Sequence, residues 1–154
     1  MDLSTLFRRD LTRLVKQIEA FQDTAILWSH ARGVTNSAGN LVLHIEGNLR
    51  EYIGRQLGNV DYSRDRQFEF AATGLPKEDL LYRIEDLKPL ITLVLESFTE
   101  ERMKSPYPED VLSCQLSVED FLIHLYGHLN WHLGQIDSLR RVLTEGGPIP
   151  PVEL

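Results

Sequence analysis

From Phe7, apolar residues at Leu11, Leu14, Ile18, Phe21, Ala25 and Trp28 recur in alternating steps of four and three. That spacing puts one narrow apolar seam along a long helix, and the chain predicts a first helix that Gly33 ends. A second should open after Asn36 or Ser37, both good N-caps, and run through LVLHIEGNLREYIGRQL to Gly58, burying Leu41, Ile45, Leu49, Tyr52 and Ile53 with His44 on the same face. Residues 59–75 are polar, with a charged run from Asp61 to Glu69 and a glycine at 74, and read as a long crossover loop.

Pro76 in a first-turn position, followed by Glu78 and Asp79, opens a third helix that should bury Leu80, Ile84, Leu87, Ile91, Val94 and Phe98. Pro89 lies inside it, and the lost backbone donor and ring clash predict a kink or local break near Asp86. SPYPEDVLSCQL reads as a loop with room for a short extended pair. Ser117 and Asp120 then make a capping-box pattern at the start of a fourth helix ending near Gly146. The GGPIPPVEL tail cannot be helical and should lie extended across the surface or a partner. Four long amphipathic helices without a strand series predict an all-α fold, a four-helix bundle with a long crossover between helices two and three, in a single domain spanning residues 1–154.

The fourth helix breaks its own pattern in an informative place. Leu125, Leu129, Ile136, Leu139 and Leu143 would keep steps of 4, 3, 4, 3 and 4 if His132 filled the gap, so an imidazole stands where the seam calls for an apolar residue. A buried imidazole with unpaired nitrogens costs on the order of 1–3 kcal/mol, so His132 needs a hydrogen-bond partner or a metal. His128 lies one turn earlier on the same face, close enough for both rings to hold one ion. With His44 from the facing second helix, the bundle core can assemble a three-histidine site, whose three protein ligands leave a coordination position open, as in catalytic rather than structural zinc sites.

Other residues carry weaker signals. His124 is about 12 Å along the axis from His132, too far to share its ion, and is set aside. His30 reads as a dipole partner at the end of the first helix, while Gln135 and Asn48 lie near the ligand stripe and can orient a ring or a water. Glu46 and Asp137 fall off the seams and read as solvated-face residues. Cys114 has no basic neighbour to lower its pKa, and Trp28 and Trp131 read as packing residues.

Composition narrows the function classes. With 16 basic against 23 acidic side chains the net charge is −7, and no Lys/Arg stripe exists to track a phosphate backbone, which argues against nucleic acid. No apolar run approaches membrane-spanning length, and MDLSTLFRRDLTRL lacks the apolar stretch of a signal peptide, so the expectation is a soluble cytoplasmic protein with no membrane partner. The single cysteine agrees with a reducing compartment. Leu6 and Leu27 are read as exposed apolar positions that permit a dimer.

The blocks NSAGNLVLHIEGNLREYI, RDRQFEFAATGLPKEDLLYRIE and HLYGHLNWHLGQI resemble the conserved segments of the DinB-like (DinB/YfiT) metalloenzyme family, in order and spacing, over nearly the whole chain. The resemblance implies a divalent metal, commonly zinc or nickel, on one histidine of the second helix and an HxxxH pair of the fourth. Carried over, these are His44, His128 and His132. It also implies a homodimer and a small-molecule substrate, since relatives include S-transferases and isomerases that use low-molecular-weight thiols. Relatives often carry a second histidine just before the last ligand, where this chain has Trp131. Three functions stand side by side: a metal-dependent enzyme transferring a thiol to a small electrophile, a non-catalytic metal-binding or dimeric interaction module, and a metal-free bundle with satisfied core histidines.

Overall fold

The computed structural model describes residues 2–153, and among them every regular element is helical. Four long segments form the body: α1 (Leu3–Glu19), α3 (Ala38–Leu49, continued by a π-helical turn Arg50–Arg55 and the short α4, Gln56–Gly58), α6 (Lys77–Glu96) and α8 (Val118–Thr144). Three short helices connect them: α2 (Thr24–Leu27), α5 (Arg66–Ala71) and α7 (Glu100–Lys104). The long helices close into a ring, α1 against α6, α6 against α3, α3 against α8 and α8 against α1. This is the pairwise packing expected of a four-helix bundle.

Every residue of α3 is buried, so its polar members, His44 among them, are committed to the interior. The predicted N-caps are where the sequence placed them. Ser37 Oγ accepts from the Asn40 N–H, and Ser117 Oγ accepts from the Asp120 N–H, both at 3.1 Å. The end of the second helix also agrees, with α4 closing at Gly58 and Asn59 taking the left-handed conformation that terminates it, φ 53°. At the end of α8 the left-handed residue is Glu145, one place before the predicted Gly146.

Several expectations are corrected. The first helix does not reach Gly33: α1 stops at Glu19, and Asp23 starts the separate α2 by accepting from the Ala25 N–H at 2.8 Å. The seam residues Phe21 and Trp28 still reach the core from this broken segment, but Ala25 is exposed and Leu27, read as exposed, is fully buried. The crossover at 59–75 is not all loop, because Asp65 caps the single-turn-and-a-half α5 through the Phe68 N–H. Helix α6 runs without a break through Pro89, whose ring faces solvent. On that helix Leu95 is buried where Val94 and Phe98 were expected, and those two are half-buried.

The predicted extended pair is present as two isolated antiparallel bridges, Pro106 with Ser117 and Val111 with Cys114. Tyr107, in that loop, is buried and donates its hydroxyl to the Tyr52 carbonyl at 2.7 Å, within the π turn. The tail lies extended along α1 and α8, tied by Arg140 Nη2 donating to the Gly147 carbonyl at 2.8 Å.

Candidate metal centre

The α3–α8 contact brings His44 opposite His128 and His132, and the three rings turn the same atom toward one point. His44 Nε2 is 3.2 Å from His128 Nε2, which is 3.1 Å from His132 Nε2, and one nitrogen from each residue lies within 4.8 Å of the other two. His44 is only 5% exposed, while His128 and His132 are half-buried. The rings meet edge to face, at 71° for His44 with His128 and 83° for His128 with His132. This group of three is the set of metal-competent side chains found among the described residues.

The opposite nitrogens explain why these atoms converge. His44 Nδ1 lies 2.9 Å from Glu69 Oε2, and a carboxylate can only accept, so the shared proton sits on Nδ1 and Nε2 presents its lone pair. His132 Nδ1 lies 2.7 Å from Gln135 Oε1, with the same consequence for its Nε2. Two of the three convergent nitrogens are thereby fixed as electron-pair donors. Burial pushes the His128 imidazole down to about 4, helped by the positive potential of His132 and His44, and burial also lowers His132 against the opposing bond to Gln135. Imidazole nitrogens aimed at one point from two helices are the donor set a divalent cation of imidazole preference requires. The residues fit the metal that the sequence implies.

Glu69 is held as firmly as the histidine it orients. Arg64 donates from Nε to Oε1 at 2.6 Å and from Nη2 to Oε2 at 2.9 Å, and α5 is pinned to α3 by Asn40 Nδ2, which donates to the Glu69 and Ala72 carbonyls. Burial alone would raise the Glu69 carboxyl, but the bonds from His44 and Arg64 outweigh it and leave its pKa below the ordinary carboxylate value. Gly47 makes room for this arrangement, since a Cβ there would collide with the Glu69 carboxylate. The Phe70 ring covers His44, with centroids 4.9 Å apart.

The other sequence candidates fall into place around this centre. Asn48, one turn beyond His44 on α3, is buried, and its Oδ1 is the one buried side-chain oxygen without a hydrogen-bond partner among the described residues. Gln135 orients His132, a role the sequence allowed it. His124 stands outside the cluster, exposed and stacked on Phe121 at 5.8 Å. His30 is exposed beyond α2, so the dipole of a long first helix does not act on it. Glu46 is not on a solvated face: it is buried and paired with Arg50 at 2.8 Å and Arg83 at 3.0 Å. Asp137 is half-buried and bonded to Gln17 and Arg140, and Cys114 is exposed in its loop. Trp28 packs as expected, with its indole N–H on the Leu75 carbonyl. Trp131 does not, being 68% exposed beside an apolar groove with Val34 and Val142.

Sequence reasoning missed Glu69 and Arg64. The signal was Asp65 as an N-cap before an apolar pair, Phe68 and Phe70, which marks a short helix inside what looked like a charged loop.

No protein-family model and no curated protein sequence matches the chain. Solved structures do. A DinB-like protein from Bacillus subtilis superposes with a TM-score of 0.72 at 17% identity, covering 97% of this chain and 96% of that one. A DinB-like protein from Bacillus cereus superposes with a TM-score of 0.73 at 15% identity, covering 98% and 95%. At these identities the likeness speaks to architecture, and over nearly its whole length the chain has the all-α fold of the DinB-like proteins.

Proposed function

We propose that this protein is a divalent-metal-dependent enzyme in which His44, His128 and His132 hold the ion and a low-molecular-weight thiol is transferred to a small electrophile. The observation that supports it is the convergence of three imidazole nitrogens, two of them fixed as lone-pair donors by Glu69 and Gln135. A divalent ion on three nitrogens supplies Lewis acidity, favouring the anionic form of a thiol or water near neutral pH. The chain's own residues do the rest. Glu69, clamped by Arg64, keeps the His44 ring in one tautomer and one orientation, and Gln135 does the same for His132.

Metal content of protein purified without a histidine tag, followed by assay of the metal-loaded form with several thiols and model electrophiles, tests this reading. Near one zinc or nickel per chain with thiol conjugation above the uncatalysed rate is expected. Stoichiometric metal with no acceleration of any pair would replace it with a non-catalytic metal-binding module. A chain that cannot be loaded at all would leave the histidines to packing. The homodimer belongs to the same reading, with the exposed Trp131, Val34 and Val142 as the apolar surface available to it. Sedimentation of wild type against Trp131→Glu checks that part separately.

A further inference from the structure

We propose that a second binding site, for a small organic anion with an apolar body, lies between α1, α8 and the C-terminal segment. It goes beyond the metal-centred reading and occupies the side of α8 that meets α1, whereas the histidines occupy the side that meets α3. A half-open chamber of about 470 Å³ lies there. Arg9, Arg13 and Arg141 line it together with Asn130, Gln17 and one carboxylate, Asp137, and Leu133 with the segment 149–152 supplies its apolar wall and roof.

The charge balance selects the ligand. Arg9, Arg13, Arg140 and Arg141 gather around two acids, Asp10 and Asp137, on a chain whose net charge is −7. Both acids are already well supplied with donors. Asp10 receives Arg9 through Nε and Nη2 at 2.7 and 2.9 Å, Arg13 at 3.2 Å and the Tyr126 hydroxyl at 2.7 Å. Asp137 receives Gln17 at 2.8 Å and Arg140 at 3.1 Å through Oδ1, with Arg141 Nε 2.9 Å from Oδ2. A guanidinium carries five N–H groups in a planar fork. Arg13 and Arg141 each meet an acid through a single nitrogen among the described residues and keep the rest of the fork unspent. Three arginines against one carboxylate in the lining, with unspent donors on Arg13 and Arg141, match a carboxylate or a phosphate monoester, which takes paired N–H bonds.

The roof limits what else can enter. Pro150 and Pro151 have no N–H to donate to an anion, which leaves the anionic group to the arginines, and Ile149 and Val152 suit a hydrocarbon body. On the floor, a Cβ built on Gly134 would meet nothing within 4 Å, so the space reaches the helix backbone. The bond from Arg140 to the Gly147 carbonyl ties the strap at its root, next to the charges.

Octanoate is the probe and 1-octanol its uncharged control, titrated into the full chain and followed by amide NMR shifts and calorimetry. Arg13→Ala/Arg141→Ala is the chief variant. Both side chains are about half exposed, and Asp10 and Asp137 keep their other partners, so its fold should survive; a thermal melt verifies this. Saturable octanoate binding, at least tenfold weaker in that variant and in Ile149→Glu but unchanged in His132→Ala, is expected. No saturation by millimolar octanoate, equal binding of 1-octanol, or an unchanged Kd in the folded double variant would each overturn the site. The His132→Ala control keeps this outcome separate from the fate of the metal reading.

Discussion

Helix α8 buries polar groups on two sides, and the two sides are built on opposite principles. Against α1, every acid has donors on both of its oxygens: Asp10 is fully buried and receives two arginines and a tyrosine hydroxyl. Against α3 acceptors are in excess instead: His128 Nε2 lies 3.2 Å from His44 Nε2 and 3.1 Å from His132 Nε2, and the latter two are held as acceptors. In the first arrangement the acids are satisfied within the chain and hold α1 to α8, while Arg13 and Arg141 keep donors to spare. The second has the donor set that a cation would complete, as the proposed function requires. A buried polar group left without a partner costs enough that its persistence points to a ligand, whereas a saturated one needs no explanation beyond stability.

The sharpest break comes from removing a ligand. His44→Ala or His132→Ala should reduce bound metal from near one per chain to below a tenth, measured by elemental analysis, while the melting temperature of metal-stripped protein changes little. If metal content survives either substitution, the two sides of α8 are alike after all. On the α1 side the largest effect is on stability. Asp10→Ala strands Arg9, Arg13 and the Tyr126 hydroxyl, and should cost about 3 kcal/mol in urea unfolding. It should leave metal content intact.

Glu69→Gln keeps all three nitrogens but weakens the acceptor that orients His44, and a 10- to 100-fold loss of metal affinity is expected from competition with a chromophoric chelator. An unchanged affinity would mean that ring orientation is fixed by packing alone. Gly47→Ala, which displaces the same carboxylate, should act in the same direction.

Acid provides a gentler comparison. Burial raises the Asp10 carboxyl, but bonds from Arg9, Tyr126, Asn130 and Arg13 bring it down to about 2, from an ordinary 3.8. A depressed carboxylate contributes stability that is fully present above its unfolded pKa and is lost as pH falls through the folded one. About 2 kcal/mol should therefore disappear between pH 4 and pH 2. Urea midpoints across that range should show this slope in wild type and lose it in Asp10→Asn. The smallest effect should be that of Arg141→Ala, below 1 kcal/mol, because its ion pair with Asp137 is half exposed.

How legible each side was follows from the kind of signal it leaves in the chain. His132 announced itself because it interrupts an apolar rhythm in a long helix, and His128 because four residues make one turn. Asn48 and Gln135 were visible only as polar neighbours of that stripe. Glu69 was hidden, since a six-residue helix in a charged stretch has too short a period to stand out, and nothing local says that its carboxylate turns inward. Glu46 was misread for a related reason: α3 is buried on all faces, so helical periodicity could not separate an inward side from a solvated one.

The sequence by itself determined the four long helices, the caps at Ser37 and Ser117, the stop after Gly58 and the histidines of α8, because hydrophobic period, capping side chains and turn residues act within a few residues of chain. Only the tertiary structure decided that Asp23 would break the first helix while Phe21 and Leu27 kept their places in the core. It alone paired Glu69 with His44 across 25 residues, and gathered Arg140, Gln17, Asp10 and Tyr126 from opposite ends of the chain. Those outcomes depend on which buried polar groups meet once the helices pack, and that is settled by partners far apart in sequence.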